Sequence, residues 1–396
     1  MFDLKTILEY GLAFLTLFAT VFFLLIFLEN KDRVRESPKA PKKLPSLTIL
    51  IPAFNEEKTI AATIKSALAA KWPGARKNVI IIDDGSKDNT LKIAKSYAKQ
   101  GVLVLHQKNG GKGRALNHGL EHADTEMVAT MDSDSYMEND ALLKLVGYFR
   151  DPQVAAVTPL MKVWQPKNTL QKFQRIEYLL TVFSRKLLSF INSINVTPGP
   201  LSMFRKSVFD HVGGYDERNI LEDQEMAMRI QAHQYKIESS MDAVVYTSVP
   251  ESLSDLIGQR VRWHRGGIRN ILKHYYLVSP IYGDFGILVM PLAIVSILAL
   301  FVVFGLALYS LLSGAPNVLI AYGVQGLVFG LTPLHVLSAI ILISTIVWSY
   351  VGIRQLQGET LSAPFLALYL ILYAPLITLF WIVTAFKEIT REKLRW

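Results

Sequence analysis

Three stretches of almost unbroken apolar sequence, near residues 7–28, 286–312 and 363–386, bracket a single block of ordinary polarity in this 396-residue chain. At ~1.5 Å rise per residue, each is long enough to cross a ~30 Å hydrocarbon layer as a helix. The fold must therefore set a soluble unit against a bilayer and anchor it from both sides. With 51% hydrophobic and 19% charged residues the chain is no disordered polyelectrolyte. The absence of cysteine excludes disulfides, thiolate zinc sites and cysteine nucleophiles. A net charge of +9 suits anionic lipid or polyanionic ligands and does not by itself point to nucleic acid, which is not an expected partner.

The first apolar run has a nearly neutral start and no small-residue cleavage site, so it reads as a spanning helix (1–29) rather than a leader. Lys31, Arg33, Arg35, Lys39, Lys42 and Lys43 follow, interrupted by Pro38, Pro41 and Pro45, as a basic linker (30–45) on the cytoplasmic side. The basic tail (387–396), with Lys387, Arg391, Lys393 and Arg395, returns to that side only if an even number of spans lies in 285–386. The segment Val318 to Val351, with Thr332-Pro333 near its middle, is too long for one upright helix and short for two, so that region holds three or four spans, four agreeing with the charge rule. Residues 251–284 read as interfacial amphipathic helices.

Between them, residues 46–250 alternate strand and helix patterns as in a parallel-sheet α/β domain. Leu47 to Pro52, Val79 to Ile82, Val102 to Leu105 and Met127 to Met131 read as strands, and Glu56 to Ala70 and Thr90 to Gln100 as helices. Two strands end directly in acids, Asp83-Asp84-Gly85-Ser86 and Asp132-Ser133-Asp134. The carboxyl edge of an open α/β sheet is where ligands bind, so this placement carries more weight than the number of acids.

Asp132 and Asp134, two positions apart on a loop, can approach one site, and hard oxygen ligands of that kind suit Mg²⁺ or Mn²⁺ bridging to a diphosphate. A helix cap at Asp132 with a solvated Asp134 explains the pair equally well in isolation. Lys108 to Arg114 is a glycine-rich basic loop before a helix at Ala115, a plausible phosphate cradle without Walker A spacing. Glu222-Asp223 opens a helix after the Gly213-Gly214-Tyr215 turn. It either complements the helix dipole or supplies a general base. Gln259 to Gly267 is strongly basic just before the second apolar block. It fits an interfacial helix, or a tryptophan stacked on a sugar with arginines on phosphate.

In their order along the chain, Pro52-Ala53-Phe54-Asn55-Glu56, Asp83-Asp84-Gly85-Ser86, Gly111 to Asn117, Asp132-Ser133-Asp134, Thr197-Pro198-Gly199-Pro200-Leu201, Glu222-Asp223 and Gln259-Arg260-Val261-Arg262-Trp263 are individually weak signals. Together they resemble the membrane-integrated, inverting family-2 glycosyltransferases, among them cellulose, chitin, hyaluronan and poly-N-acetylglucosamine synthases. The resemblance covers nearly the whole chain. It implies an α/β GT-A nucleotide-sugar-binding domain joined to an α-helical transmembrane region at the cell membrane, with the catalytic domain cytoplasmic.

In that family's terms Ala53, Glu56, Asp83 and Asp84 hold the uridine, Lys112 approaches the diphosphate, and Asp132 and Asp134 seat the Mg²⁺ or Mn²⁺, Asp134 most directly. Asp223, beside Glu222, is the catalytic base. Gln259 and Arg262 attend the donor diphosphate, while Trp263 and the Gly199-Pro200-Leu201 turn face the acceptor. The implied reaction extends a β-linked polysaccharide from a UDP-sugar, UDP-N-acetylglucosamine or UDP-glucose, and threads it across the bilayer, with accessory secretion subunits as further partners. The rival is a non-processive enzyme that glycosylates a membrane lipid. Dolichyl-phosphate sugar synthases generally lack the Gln-x-x-Arg-Trp motif. A silent transporter or scaffold subunit has no chemical reason to keep Asp132, Asp134 and Asp223.

Overall fold

The computed structural model describes residues 4–312, 333–356, 358–390 and 392. The polar block builds one eight-stranded sheet. Its strands, in chain order, are β1 (Leu47–Ala53), β2 (Lys77–Asp83), β3 (Val102–His106), β4 (Met127–Thr130), β5 (Ser135–Met137), β6 (Val154–Val163), β7 (Ser202–Arg205) and β8 (Lys236–Thr247). Across the sheet the order is β3-β2-β1-β4-β7-β6-β8-β5. β1 is buried along its whole length and pairs in parallel with both β2 and β4, so the strand order reverses beside it. Such a reversal opens a crevice at the strands' carboxyl ends.

The sheet is mixed, not wholly parallel as the alternation of elements suggests. β7 runs antiparallel to both β4 and β6, and β5 antiparallel to β8. The physical reason is the turn at 197–201, which starts β7 from the same edge where β4 ends, so β7 descends where β4 rises. Hydrophobic patterning records burial and not strand direction, and cannot report this.

The sheet is covered by α2 (Ile60–Ala69), α3 (Thr90–Ser96), α4 (Lys112–Glu121), α5 (Ala141–Val146), α6 (Thr169–Phe190), α7 (Val208–Val212) and α8 (Glu222–Ala232). α2 begins four residues later than its apolar stripe suggests, because Asn55 takes a left-handed φ of 57° and the chain turns over Glu56 before the helix can start. α4 begins at Lys112 rather than Ala115, which puts that lysine on the helix's first turn. α6 is fixed at its start by a reciprocal pair in which Asn168 accepts from the Gln171 N–H and the Gln171 side chain accepts from the Asn168 N–H. α9 (Leu253–Lys273) starts at Ser252, whose hydroxyl accepts from the Asp255 N–H.

Among the described residues four helices are long and apolar enough to cross a membrane: α1 (Leu4–Asn30), α10 (Met290–Leu312, continuing a π-helical turn at Phe285–Val289), α11 (Pro333–Gln355) and α12 (Ala363–Ile389). The part of Val318 to Val351 before residue 333 lies outside the described residues. α1 and α11 pack together and onto α6 through aromatic contacts, Phe27 and Trp348 closing on Phe183, and Gly352 leaves room for the Phe183 ring.

α12 behaves differently. Just before it, Glu359 pairs with Lys162 and Arg175; Phe365, Tyr369 and Tyr373 then lie against Phe173. Near its far end Glu388 pairs with Arg265 and Arg269 of α9. At 27 residues the helix is about 40 Å long, yet both ends are held by the same soluble domain.

Candidate active site

The crevice at the carboxyl ends of β1, β2 and β4 deepens into a cavity of about 730 Å³. Ala53, Glu56, Asp84, Lys112, Asp132, Asp134, Glu222, Asp223, Gln259, Arg262 and Trp263 all line it, as do Gly199 and Pro200. A second hollow, about 850 Å³, lies between the basic linker and residues 281–284 and contains none of these motif residues.

The two acids that end β2 do different work. Asp84 accepts hydrogen bonds from the N–H groups of Gly110 and Gly111 at 2.9 and 2.8 Å and from the Gln107 amide at 2.7 Å, so its carboxylate shapes the glycine-rich loop. Asp83, read from the sequence as a uridine ligand, is completely buried and does not reach the cavity. It is occupied by His106 Nδ1 at 2.7 Å and the Ser86 N–H at 3.3 Å. The cause is strand alternation: neighbouring residues at a strand end point to opposite faces.

Lys112 is also placed differently from its expected post at the diphosphate. Its ammonium bridges Asp132 Oδ1 at 2.6 Å and Glu222 Oε1 at 2.9 Å, joining the end of β4 to the start of α8. Burial alone would lower its pKa, but the carboxylates of Asp132, Glu222 and Asp223 hold it well above the usual lysine range. The turn at 197–201 closes the same ring. Gly199 accepts from the Asp132 N–H at 3.0 Å, and the Asp223 carbonyl accepts from the Thr197 N–H and hydroxyl at 3.3 and 2.9 Å. A side chain at Gly199 would collide with the Asp132 carboxylate and the Lys112 ammonium, so the turn needs glycine there. Leu201, read as an acceptor contact, is fully buried in the domain core just before β7 and does not line the cavity.

Three carboxyls in the cavity are perturbed, and burial raises that of Glu56 against a hydrogen bond from Thr59. Burial first, then the charges of Asp132 and Glu56, push Asp134 up to about 7. Burial first, then Glu222, pushes Asp223 up to about 7, with Lys112 opposing. A carboxylate pressed by two like charges in a closed space is suited to a divalent cation. Among the described residues no cluster of three or more histidine and acidic side chains closes around an ion. Mg²⁺ commonly takes one or two carboxylates and completes its shell with substrate phosphates and water, so the Asp132 and Asp134 pair fits that use.

The opposite wall comes from α9 and α6. The Arg260 guanidinium pairs with Glu177, donates to Gln259 Oε1 at 2.8 Å and lies 4.1 Å over the Trp263 ring, holding that indole as a fixed platform. His264 stacks on Trp381 of α12 at 4.1 Å, and burial, then Arg260, pushes its pKa down to about 4, so it is neutral at ordinary pH. The cavity continues past His264 and Ile268 to Ala293 and Ile297 of α10 and to Trp381, an apolar end facing the spanning helices. Sequence reading missed His264, Trp381, Tyr178 and Arg185 as cavity residues.

Acidic strand ends thus form one wall of the cavity and a tryptophan platform the other. Residues 48–213 match the family model "Glycosyl transferase family 2", and the chain carries a GT-A-like α/β domain. It is 32% identical over 238 residues to the poly-beta-1,6-N-acetyl-D-glucosamine synthase of Staphylococcus aureus (strain COL), covering 59% of this chain and 57% of that one. The Staphylococcus epidermidis synthase of the same name is 31% identical over 239 residues, 59% of this chain and 58% of that one. The chain thus spans somewhat over half the length of these curated relatives. Over the whole fold it is similar to the mannosyltransferase PcManGT from Pyrobaculum calidifontis in complex with GDP-Man and Mn²⁺, with a TM-score of 0.64 and 19% identity, covering 98% of this chain and 100% of that one.

Proposed function

We propose that this protein transfers a sugar from a UDP-sugar to an acceptor hydroxyl in a single inverting displacement at the membrane surface. The observation that carries this reading is the convergence of Asp84, Asp134 and Asp223 on one cavity that opens towards the spanning helices. Asp223 accepts the proton of the acceptor hydroxyl, for which a carboxyl raised to about 7 is a stronger base than an ordinary aspartate. The freed oxygen attacks the anomeric carbon from the side opposite the diphosphate, and the nucleotide leaves. Lys112 holds Glu222 and Asp132 in place around that path. Arg262 balances charge on the departing phosphates. A divalent cation, Mg²⁺ or Mn²⁺, seated by Asp134 and Asp132, supplies Lewis-acid stabilisation of the diphosphate when bound.

N-acetylglucosamine is the favoured donor sugar, and a growing β-linked polysaccharide a favoured acceptor, on the strength of the similarity to the staphylococcal synthases. A membrane lipid as acceptor is the second reading, favoured by the apolar end of the cavity at Ile268, Ala293 and Ile297. The catalytic domain faces the cytoplasm, a placement that the basic linker and tail support. α10 and α11 cross the bilayer, while α12 lies in its plane along the domain; the ion pairs at both ends of α12 support this.

The test is to screen UDP-sugars and GDP-mannose with purified protein for metal-dependent nucleotide release, then size the product. UDP-N-acetylglucosamine turnover is expected. Turnover of GDP-mannose alone would replace the donor, and no release from any nucleotide sugar would reject the reading.

A further inference from the structure

Arg185 has no role in the transfer as described, and its charge lacks an ion-pair partner among the described residues. It sits on the face of α6 turned to the cavity, which it lines together with Tyr178 and Asp223. It is only 4% exposed, and its Nε and Nη1 groups meet no hydrogen-bond partner among the described residues. No carboxylate forms an ion pair with it there. Burial pushes its pKa down, to about 10, opposed by the Asp223 charge, so it remains a cation at neutral pH. A buried unpaired guanidinium is costly, and one that lines a cavity is poised for an anion that the protein itself does not supply.

Two walls restrict what that anion can belong to. In the proposed reaction the donor's diphosphate already has Arg262 of α9 and the Asp132 and Asp134 cation site. Arg185 projects instead from the helix that packs against α1 and α11. The same cavity ends between α9, α10 and α12 in Ile268, Ile271, Ala293, Ile297 and Trp381, side chains that offer a sugar polymer almost no hydrogen bonds. A ligand satisfying both ends has a charged head beside Asp223 and an apolar tail towards the bilayer.

We infer that Arg185 is the anion-binding residue of the acceptor subsite, and that the acceptor is an anionic amphiphile whose phosphate pairs with Arg185 while its chain leaves between α9, α10 and α12. This rests on the proposed transfer reaction and names its acceptor class. Bidentate guanidinium–phosphate bonding fixes the head group, leaving a neighbouring hydroxyl free to meet Asp223.

The test uses the full-length protein and its Arg185→Met and Arg185→Lys variants, with phosphatidylglycerol as the probe because it carries both a phosphate and free hydroxyls. Native mass spectrometry counts retained phosphatidylglycerol against diacylglycerol, calorimetry measures UDP affinity, and UDP release is followed with phosphatidylcholine vesicles containing either lipid or with soluble N-acetylglucosamine oligomers. The inference expects retention of phosphatidylglycerol over diacylglycerol, and vesicle-stimulated UDP release that falls about 10- to 100-fold in Arg185→Met, the loss typical of a charge-assisted pair. It expects partial recovery in Arg185→Lys and UDP affinity unchanged in both. A selective loss of UDP affinity would assign Arg185 to the donor and overturn it. Equal retention of both lipids, or release driven by the neutral oligomers and insensitive to Arg185, would also overturn it. Absence of UDP release with every acceptor rejects the transfer reading, and the lipid-retention arm still decides the anion site.

Discussion

Replacing Asp223 with asparagine is expected to move activity and stability in opposite directions. The carboxyl lies among Glu222, Asp132 and Lys112, and burial first, then Glu222, raises it from 3.8 to about 7. Holding it ionised against that shift costs on the order of 4 kcal/mol. Its side chain faces the cavity, where solvent reaches it, so about half of that, ~2 kcal/mol, is the working figure. The sign follows from proton linkage: with the folded pKa above the unfolded one, the destabilisation is complete above pH 7 and vanishes as pH falls towards 3.8. Asn keeps the shape and removes the charge. Asp223→Asn should therefore resist thermal or denaturant unfolding better than the native protein at pH 8 by about 2 kcal/mol, and equally at pH 4. UDP-sugar turnover should drop by roughly 10²- to 10⁴-fold, the usual worth of a general base, with UDP binding preserved. A variant that is no more stable at pH 8, or that keeps native turnover, refutes the argument that this carboxyl is a strained base.

The native turnover number should rise with pH through about 7 as Asp223 loses its proton, and a profile flat from pH 5 to 8 would dissociate the rate from that group. Asp134→Asn should weaken Mn²⁺ binding by about tenfold or more in calorimetry with UDP present, and unchanged affinity would move the cation elsewhere. Gly199→Ala should leave the fold intact yet cut turnover at least about tenfold by displacing Asp132 and Lys112; native turnover would show that the turn adapts. Because the chain has no cysteine, single cysteines placed at Ser362 and Thr390 report the position of α12 cleanly. Both should react with a membrane-impermeant maleimide only from the domain's side, and labelling from opposite sides would make α12 a span.

Much of the donor wall was legible before the structure, because strand ends are marked by apolar runs and the acids follow them directly. Asp84, Asp132 and Asp134 fell where that logic puts them. Asp83 and Leu201 did not, since motif position says nothing about which way a side chain at a strand end points. Lys112 lines the cavity as its motif suggests, but its ion pair is not legible in the sequence: its partner Glu222 is 110 positions away, and only the turn at 197–201 brings α8 to β4. The direction of β7 was illegible for a related reason. Hydropathy registers that α12 is apolar enough to span, whereas the ion pairs of Glu359 and Glu388, one just before the apolar run and the other at its end, belong to the packed structure. Arg185 sat in plain view on α6, but its lack of a partner is a property of the packed cavity alone.

The stereochemistry of transfer tests the central claim most directly. With an α-linked nucleotide sugar as donor, the anomeric configuration of the first product linkage can be read by NMR from its one-bond carbon–proton coupling. A single displacement assisted by Asp223 predicts a β linkage; an α linkage would require a different mechanism and contradict the assignment of this cavity.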